Sequence, residues 1–382
     1  MDDLTKILQV TTTHDQLTGA VNTPIQLSAT FAQTDFDNLG EFDYARSGNQ
    51  TRLAAEKAVA ALEHATHGYL FSSGMAAISS VLMTFSAGDH IVVTSHVYGG
   101  TFRVLTDVLS RFGITHTFVD CGELVDVAAA ILPNTKAIYI ETPSNPTLSV
   151  TDIAGIVAIA KAHDLLTIAD NTFMSPALQK PLDFGVDVVV HSATKFLAGH
   201  SDILAGAAVT KRDDLAEQIY FIQNAVGATL GVLDSWLLLR GMKTLGVRMA
   251  QASASATQLA AWLTDQPQVN AVHYPGLPTH PNYQVQLTQA KNGGAVLSID
   301  VGSIENARQL VKHLTIPIYS VSLGGVESII SYPPKMSHAE LSAAEQVASG
   351  ITPGLLRYSV GLESITDIIA DLANAFSYLG EE

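Results

Sequence analysis

DVVVHSATKFLAGHSDILAG, residues 187–206, is the stretch whose reading decides the fold. DVVVH is a short apolar, β-branched run that predicts a buried strand, and Ser192, Thr194 and Lys195 leave its end on a polar, small-residue turn. The turn puts Lys195 at a strand's carboxyl end, the edge where α/β sheets bind ligands. A lysine desolvated there loses its preference for the charged form and becomes a nucleophilic amine. Ser192 and Thr194 beside it could hold a phosphate, and together these parts fit a Schiff-base lysine carrying pyridoxal phosphate. Taken alone, a lysine reaching from a strand end to solvent reads the same way.

Strand and helix patterns alternate around this stretch. Strands are predicted at 68–72, 90–94, 115–119, 136–141, 165–170, 187–191 and 205–210, with helical runs at 76–85, 101–112, 125–132 and 153–162. This order predicts an α/β fold whose large domain is a mostly parallel, seven-stranded sheet covered on both faces. Ahead of it, residues 1–48 show no sustained periodicity and read as an arm that must dock to be ordered. A helix begins near Thr51 as N-cap, with Ala54, Ala58, Ala61 and Leu62 on one face. The large domain is placed at 49–235 and a smaller α+β domain at 236–382, the latter with a long helical stretch at 233–265, strands at 294–301 and 355–361, and a last helix at 365–379.

Other chemistry-bearing residues fall after the predicted strands. Ser73, Gly74 and Met75 follow the first strand and open a helix, whose free N–H groups and positive end suit an anion, although a tight turn alone would read alike. Tyr98 offers a flat ring and a phenol after the second strand, and Asn145 an amide after the fourth, where a turn residue before Pro146 is the alternative. Asp170 ends the fifth strand, followed by Thr172. A carboxylate there can hold a pyridine nitrogen protonated, or it can simply form a turn. Arg357 lies among apolar neighbours in the second domain, where a bidentate anion such as an amino-acid carboxylate would satisfy it, as would a structural salt bridge.

Composition narrows the class. Of 382 residues only 15% are charged, as expected if much surface is buried between subunits, and the net charge of −16 repels phosphate backbones and anionic lipids. Nucleic acid and membrane are therefore not expected partners. The lone Cys121 excludes an internal disulfide and any CxxC motif and fits a reducing cytoplasm, and no run of 18 apolar residues appears. The 13 histidines form no HExxH pattern, so no metal is expected. Neither GxGxxG nor GxxxxGK[ST] is present, which removes the main support for a dinucleotide or P-loop site.

From TGAVNTPIQLSATF (18–31) to Gly361, with HSATKFLAGHSD as its most specific signature, the chain resembles the Cys/Met-metabolism enzymes that depend on pyridoxal phosphate, a family of cystathionine β- and γ-lyases, cystathionine γ-synthases and methionine γ-lyases. The resemblance implies the aspartate-aminotransferase type of transferase fold (fold type I) and a homotetramer made of two tight dimers with shared sites. It implies that Lys195 holds the cofactor as a Schiff base, Asp170 pairs with its pyridinium and Tyr98 stacks on it. Phosphate contacts would come from the N–H groups of Gly74 and Met75, the hydroxyls of Ser192 and Thr194, and Tyr44 and Arg46 of the neighbouring subunit's YARSGNQT segment, where Gln50 stands in place of the family's usual proline, and Ser73, Asn145 and Thr172 would also bind the cofactor. Asn145 and Arg357 would meet the substrate carboxylate of a sulfur amino acid, with Ser322 nearby and Tyr98 and Val321 also lining the substrate site. Val321, where γ-synthases and γ-lyases commonly carry glutamate, offers no partner to a distal ammonium and points to cystathionine β-lyase, with γ-lyase next and then γ-synthase or methionine γ-lyase.

Overall fold

Val188, Val189 and Val190 are buried on a strand that ends at His191, as an apolar run in a sheet covered on both faces must be. The computed structural model describes residues 3–11, 15, 18–37, 39–339 and 341–379. Seven strands, β1 (His67–Phe71), β2 (His90–Thr94), β3 (Thr115–Val119), β4 (Thr135–Glu141), β5 (Leu166–Asp170), β6 (Val188–His191) and β7 (Gly206–Thr210), make one sheet in the order β1-β7-β6-β5-β4-β2-β3. β2 pairs in parallel with β3 and β4, as β5 does with β6, while β7 runs antiparallel to both β1 and β6. The predicted mostly parallel sheet is present, each strand within one residue of its expected start and end.

Contacts gather the chain into two units, residues 1–87 with 168–246 and residues 88–167 with 247–382. In the first unit the helix Gln50–Leu62 is capped by Asn49, whose side chain accepts from the N–H groups of Thr51 and Arg52. This corrects the expected Thr51 cap: the Thr51 hydroxyl instead donates to Pro24 O at 2.8 Å and accepts from Gln26 N–H at 2.9 Å, anchoring the arm. The buried face runs through Ala55, Ala58, Val59 and Leu62 rather than through Ala54 and Ala61. A helix at Asp3–Thr11 also forms in the segment where no periodicity was legible.

The second unit holds a five-stranded sheet, β8 (Ala271–His273), β9 (Val296–Asp300), β10 (Ile318–Tyr319), β11 (Ile329–Ser331) and β12 (Leu355–Ser359), in the order β10-β11-β12-β9-β8. Leu297, Ile299, Ile330, Leu356 and Tyr358 put one face of it into a core shared with Leu259, Leu310 and Leu372. Strand alternation sends Ser298, Ser331 and Arg357 to the opposite face. The expected long helix at 233–265 is two, Val232–Met242 and Leu245–Thr264. The expected run at 101–112 starts at Gly99 as an α-helix, widens to π geometry at Val104–Val108 and closes as a 3₁₀ turn before Gly113, whose φ of 78° ends it. Among the described residues no helix is long and apolar enough to cross a membrane.

Candidate active site

Lys195 is half-buried in a turn fixed on both sides. Its N–H donates to Ser192 O at 3.1 Å and its carbonyl accepts from Gly199 N–H at 2.8 Å. Thr194 is tied to Ala205 by its own N–H at 3.0 Å and by its hydroxyl, which accepts from Ala205 N–H at 2.9 Å. That leaves the hydroxyl of Thr194 engaged, whereas Ser192 Oγ has no hydrogen-bond partner among the described residues. Of the two predicted phosphate hydroxyls, Ser192 is the one free to meet a ligand.

Asp170 ends β5 with 5% exposure. Its Oδ1 accepts from Thr172 N–H at 2.9 Å and from the Thr172 hydroxyl at 2.5 Å, and that same Thr172 oxygen accepts from Ser192 N–H at 2.8 Å. One hydroxyl thus bridges the carboxylate's loop to the lysine's loop. A proton donated to Oδ1 and a lone pair offered to Ser192 use Thr172 as both donor and acceptor and hold the carboxylate in one orientation.

The third part of this unit's site is the start of the helix Gly74–Leu82, where Ser73 caps by accepting from Ala76 N–H at 3.1 Å. The N–H groups of Gly74 and Met75 have no carbonyl partner within the helix, as for any first turn. A Cβ on Gly74 would stand 2.7 Å from Ser192 Cβ and 2.8 Å from Ser192 Oγ, so only glycine lets these donors close on one another. A side chain on Gly206, the first residue of β7, would overlap the Ser73 carbonyl, which makes the same point for the approach of that strand. Tyr44 and Arg46 lie exposed on the arm, with the guanidinium carbon 5.4 Å from the Tyr44 ring centre and Nε donating to Asn224 Oδ1 at 3.1 Å.

In the second unit Arg357 sits on β12 at 4% exposure. Its Nη1 donates to Asn145 Oδ1 at 2.8 Å, and its Nη2 to Ser322 O at 2.7 Å and to Ser331 Oγ at 3.1 Å. Nε, although buried, has no partner, and among the described residues no carboxylate makes an ion pair with this guanidinium. The salt-bridge alternative falls away. Burial pulls the Arg357 pKa down to about 10, against the opposing pull of Tyr98 and Glu141, so the group is still charged at neutral pH and lacks an anion. Ser322 adopts φ 83°, a left-handed conformation that costs a non-glycine residue about 1 kcal/mol or more and here accompanies a carbonyl aimed at Arg357.

Asn145 belongs to a loop after β4 that later parts of the chain hold in place. Ser298 Oγ donates to Pro146 O at 2.7 Å, His280 Nε2 lies 3.0 Å from Leu148 O, and Asn282 Nδ2 donates to Val150 O at 2.7 Å. His338, 5% exposed, hydrogen-bonds the Asn145 backbone and has Nδ1 2.9 Å from Ser337 Oγ; burial first, and the Arg357 charge second, push its pKa down to about 4. Tyr98 precedes the helix Gly99–Arg103, with its N–H donating to Glu141 Oε2 at 2.9 Å and its side chain 40% exposed. Val321, beside Ser322, is 60% exposed. Sequence reading missed Glu141, Ser331 and His338; only strand register and loop contacts reveal them.

A lysine in a fixed turn, a buried carboxylate held by a threonine, and an anion cradle that only glycine permits are the donor set pyridoxal phosphate requires, and they lie in one unit of the fold. Residues 4–377 match the profile of the Cys/Met metabolism PLP-dependent enzymes. The chain is 54% identical over 358 residues to cystathionine beta-lyase MetC of Bacillus subtilis (strain 168), covering 94% of this chain and 92% of that one. It is 46% identical over 363 residues to cystathionine gamma-lyase of the same organism, covering 95% and 96%. Among solved structures, cystathionine gamma-lyase from Lactobacillus plantarum complexed with L-serine superposes with a TM-score of 0.97 at 44% identity, with each chain covered fully at 100%.

Proposed function

Since the chain belongs to the Cys/Met metabolism PLP-dependent enzymes, we propose that it is a carbon–sulfur lyase that splits L-cystathionine to homocysteine, pyruvate and ammonia. Pyridoxal phosphate, when bound, supplies an electron sink for the carbanion formed at the substrate's Cα. The observation that carries the reading is the buried, anion-less Arg357 paired with Asn145: it is built for a carboxylate, and an α-amino acid brings one.

The residues divide the work. Arg357 and Asn145 hold the α-carboxylate, with the Ser322 carbonyl and Ser331 hydroxyl fixing the guanidinium plane. Lys195 would hold the cofactor, and its Nζ, when free, would take the substrate's Cα proton. Asp170, held by Thr172, would keep a proton on the pyridine nitrogen, while Gly74, Met75, Ser73 and Ser192 would hold the phosphate and Thr194 would brace the turn through Ala205. Tyr98 presents its ring to the cofactor and its phenol for proton transfer. Overall the Cβ–S bond breaks, and cystathionine with one water gives homocysteine, pyruvate and ammonia.

The β-lyase choice rests on Val321: an exposed apolar side chain favours the thioether chain and gives a distal ammonium no partner. The reading also includes a homotetramer of two dimers in which Tyr44 and Arg46 serve the neighbouring subunit's phosphate. Exposed Leu27, Phe36 and Phe221, at 79%, 94% and 67%, support burial against another copy. A cytoplasmic location is part of the reading, supported by the single cysteine. The γ-lyase alternative keeps the similarity of both γ-lyase relatives in its favour. Product analysis with L-cystathionine decides: homocysteine with pyruvate supports the proposal, and cysteine with 2-oxobutyrate overturns it for the γ-lyase.

A further inference from the structure

Glu63 follows the helix Gln50–Leu62 as its C-cap residue and is fully buried. Its Oε1 accepts from Asn171 Nδ2 at 2.7 Å and lies 2.7 Å from His191 Nε2. Oε2 is buried with no hydrogen-bond partner among the described residues. Asn171 also donates from Nδ2 to Gln179 O at 2.9 Å, accepts from Gln179 Nε2 at 3.1 Å, and donates its backbone N–H to Val190 O at 3.1 Å. Asn171 and His191 are themselves buried, at 0% and 1% exposure. A carboxylate with one oxygen left unsatisfied in such a place is a costly brace, and for stability alone an apolar side chain would serve better.

Its neighbours explain the expense. Asn171 is the residue after Asp170, and His191 is the residue before Ser192. β5 and β6 are adjacent and parallel, with Asp170 opposite Val190. The Thr172–Ser192 bond ties the two strand ends together directly, and the shared oxygen of Glu63 ties them a second time through Asn171 and His191. We propose that Glu63 is a positioning residue for the cofactor site: its Oε1 fixes the end of β5 against the end of β6, and so fixes Asp170 relative to Ser192 and the Lys195 turn.

The proposal rests on pyridoxal phosphate binding at Lys195, and its test reads cofactor affinity rather than turnover. Apoenzyme is titrated with pyridoxal phosphate and followed by visible absorbance, for the parent, Glu63→Leu, His191→Leu and His191→Gln, with thermal unfolding of each apoenzyme alongside. Glu63→Leu and His191→Leu are expected to raise the dissociation constant about tenfold, the lower range seen when outer partners of a bound group are removed. His191→Gln, which keeps a donor for Glu63, is expected to return to within about threefold of the parent. A rise below about threefold in both leucine variants, however much their unfolding temperature falls, would make Glu63 a structural brace only; so would His191→Gln binding no better than His191→Leu. If Glu63→Leu does not fold, the two His191 variants decide. A parent that takes up no cofactor refutes the site itself, and the inference with it.

Discussion

Arg357 Nη1 donates to Asn145 Oδ1 at 2.8 Å across 212 positions of sequence, and among the described residues no carboxylate makes an ion pair with the guanidinium. The amide oxygen orients the guanidinium without neutralising it, which leaves the charge for a ligand.

Arg357→Lys should keep a positive charge and lose the planar fork. The expected result is a fall in kcat/KM for the amino-acid substrate of about tenfold to a hundredfold, from one to two charge-assisted hydrogen bonds, with the cofactor's visible absorbance unchanged. Steady-state kinetics beside a spectrum checks it, and a loss of absorbance would put Arg357 in the cofactor site instead.

Asp170→Asn should fold like the parent and lower turnover by about a hundredfold or more, because an amide cannot hold the ring nitrogen protonated. Near-normal turnover in the folded variant would reduce Asp170 to a turn residue.

Both of these residues, and Lys195, were legible in the sequence because they end or interrupt apolar runs, and a polar residue at the carboxyl end of such a run needs no partner to be noticed. The strands of the large sheet were legible for the same reason: β-branched runs bounded by turns have no other use. Ser331 and Ser298 were not, because they join Arg357 only when β11, β12 and β9 are in register. Nor was Glu63 visible, since a lone acid at a helix end is ordinarily solvated; its burial comes from contacts with residues more than a hundred positions away. Thr51 was misread as a cap because Asn49, two residues earlier, is an equally good capping residue and starts the helix sooner, accepting from the N–H groups of Thr51 and Arg52.

His338 predicts a pH dependence. Its folded pKa is depressed to about 4, so the unfolded chain binds a proton that the folded chain refuses. The stability it contributes is complete above the ordinary histidine pKa of about 6.5 and is lost as pH falls toward about 4, by roughly 3 kcal/mol in all. His338→Gln, which keeps a donor for the Asn145 carbonyl, should flatten denaturant stability between those pH values. An unchanged slope would show that other groups govern the acid limb.

Mixing Arg46→Ala subunits with Lys195→Ala subunits tests the shared site. With subunit exchange demonstrated, a mixed dimer should regain part of the parent activity, since one of its sites would combine an intact lysine with an intact arm. Exchange without any recovered activity would confine each site to one chain.

The most direct measurement is to reduce the cofactor-loaded protein with borohydride, digest it, and locate the pyridoxyl group by peptide mass. Lys195, in the peptide HSATKFLAGHSD, is expected to be the single modified residue; a pyridoxyl group on any other lysine, or full labelling of Lys195→Ala, would place the cofactor elsewhere.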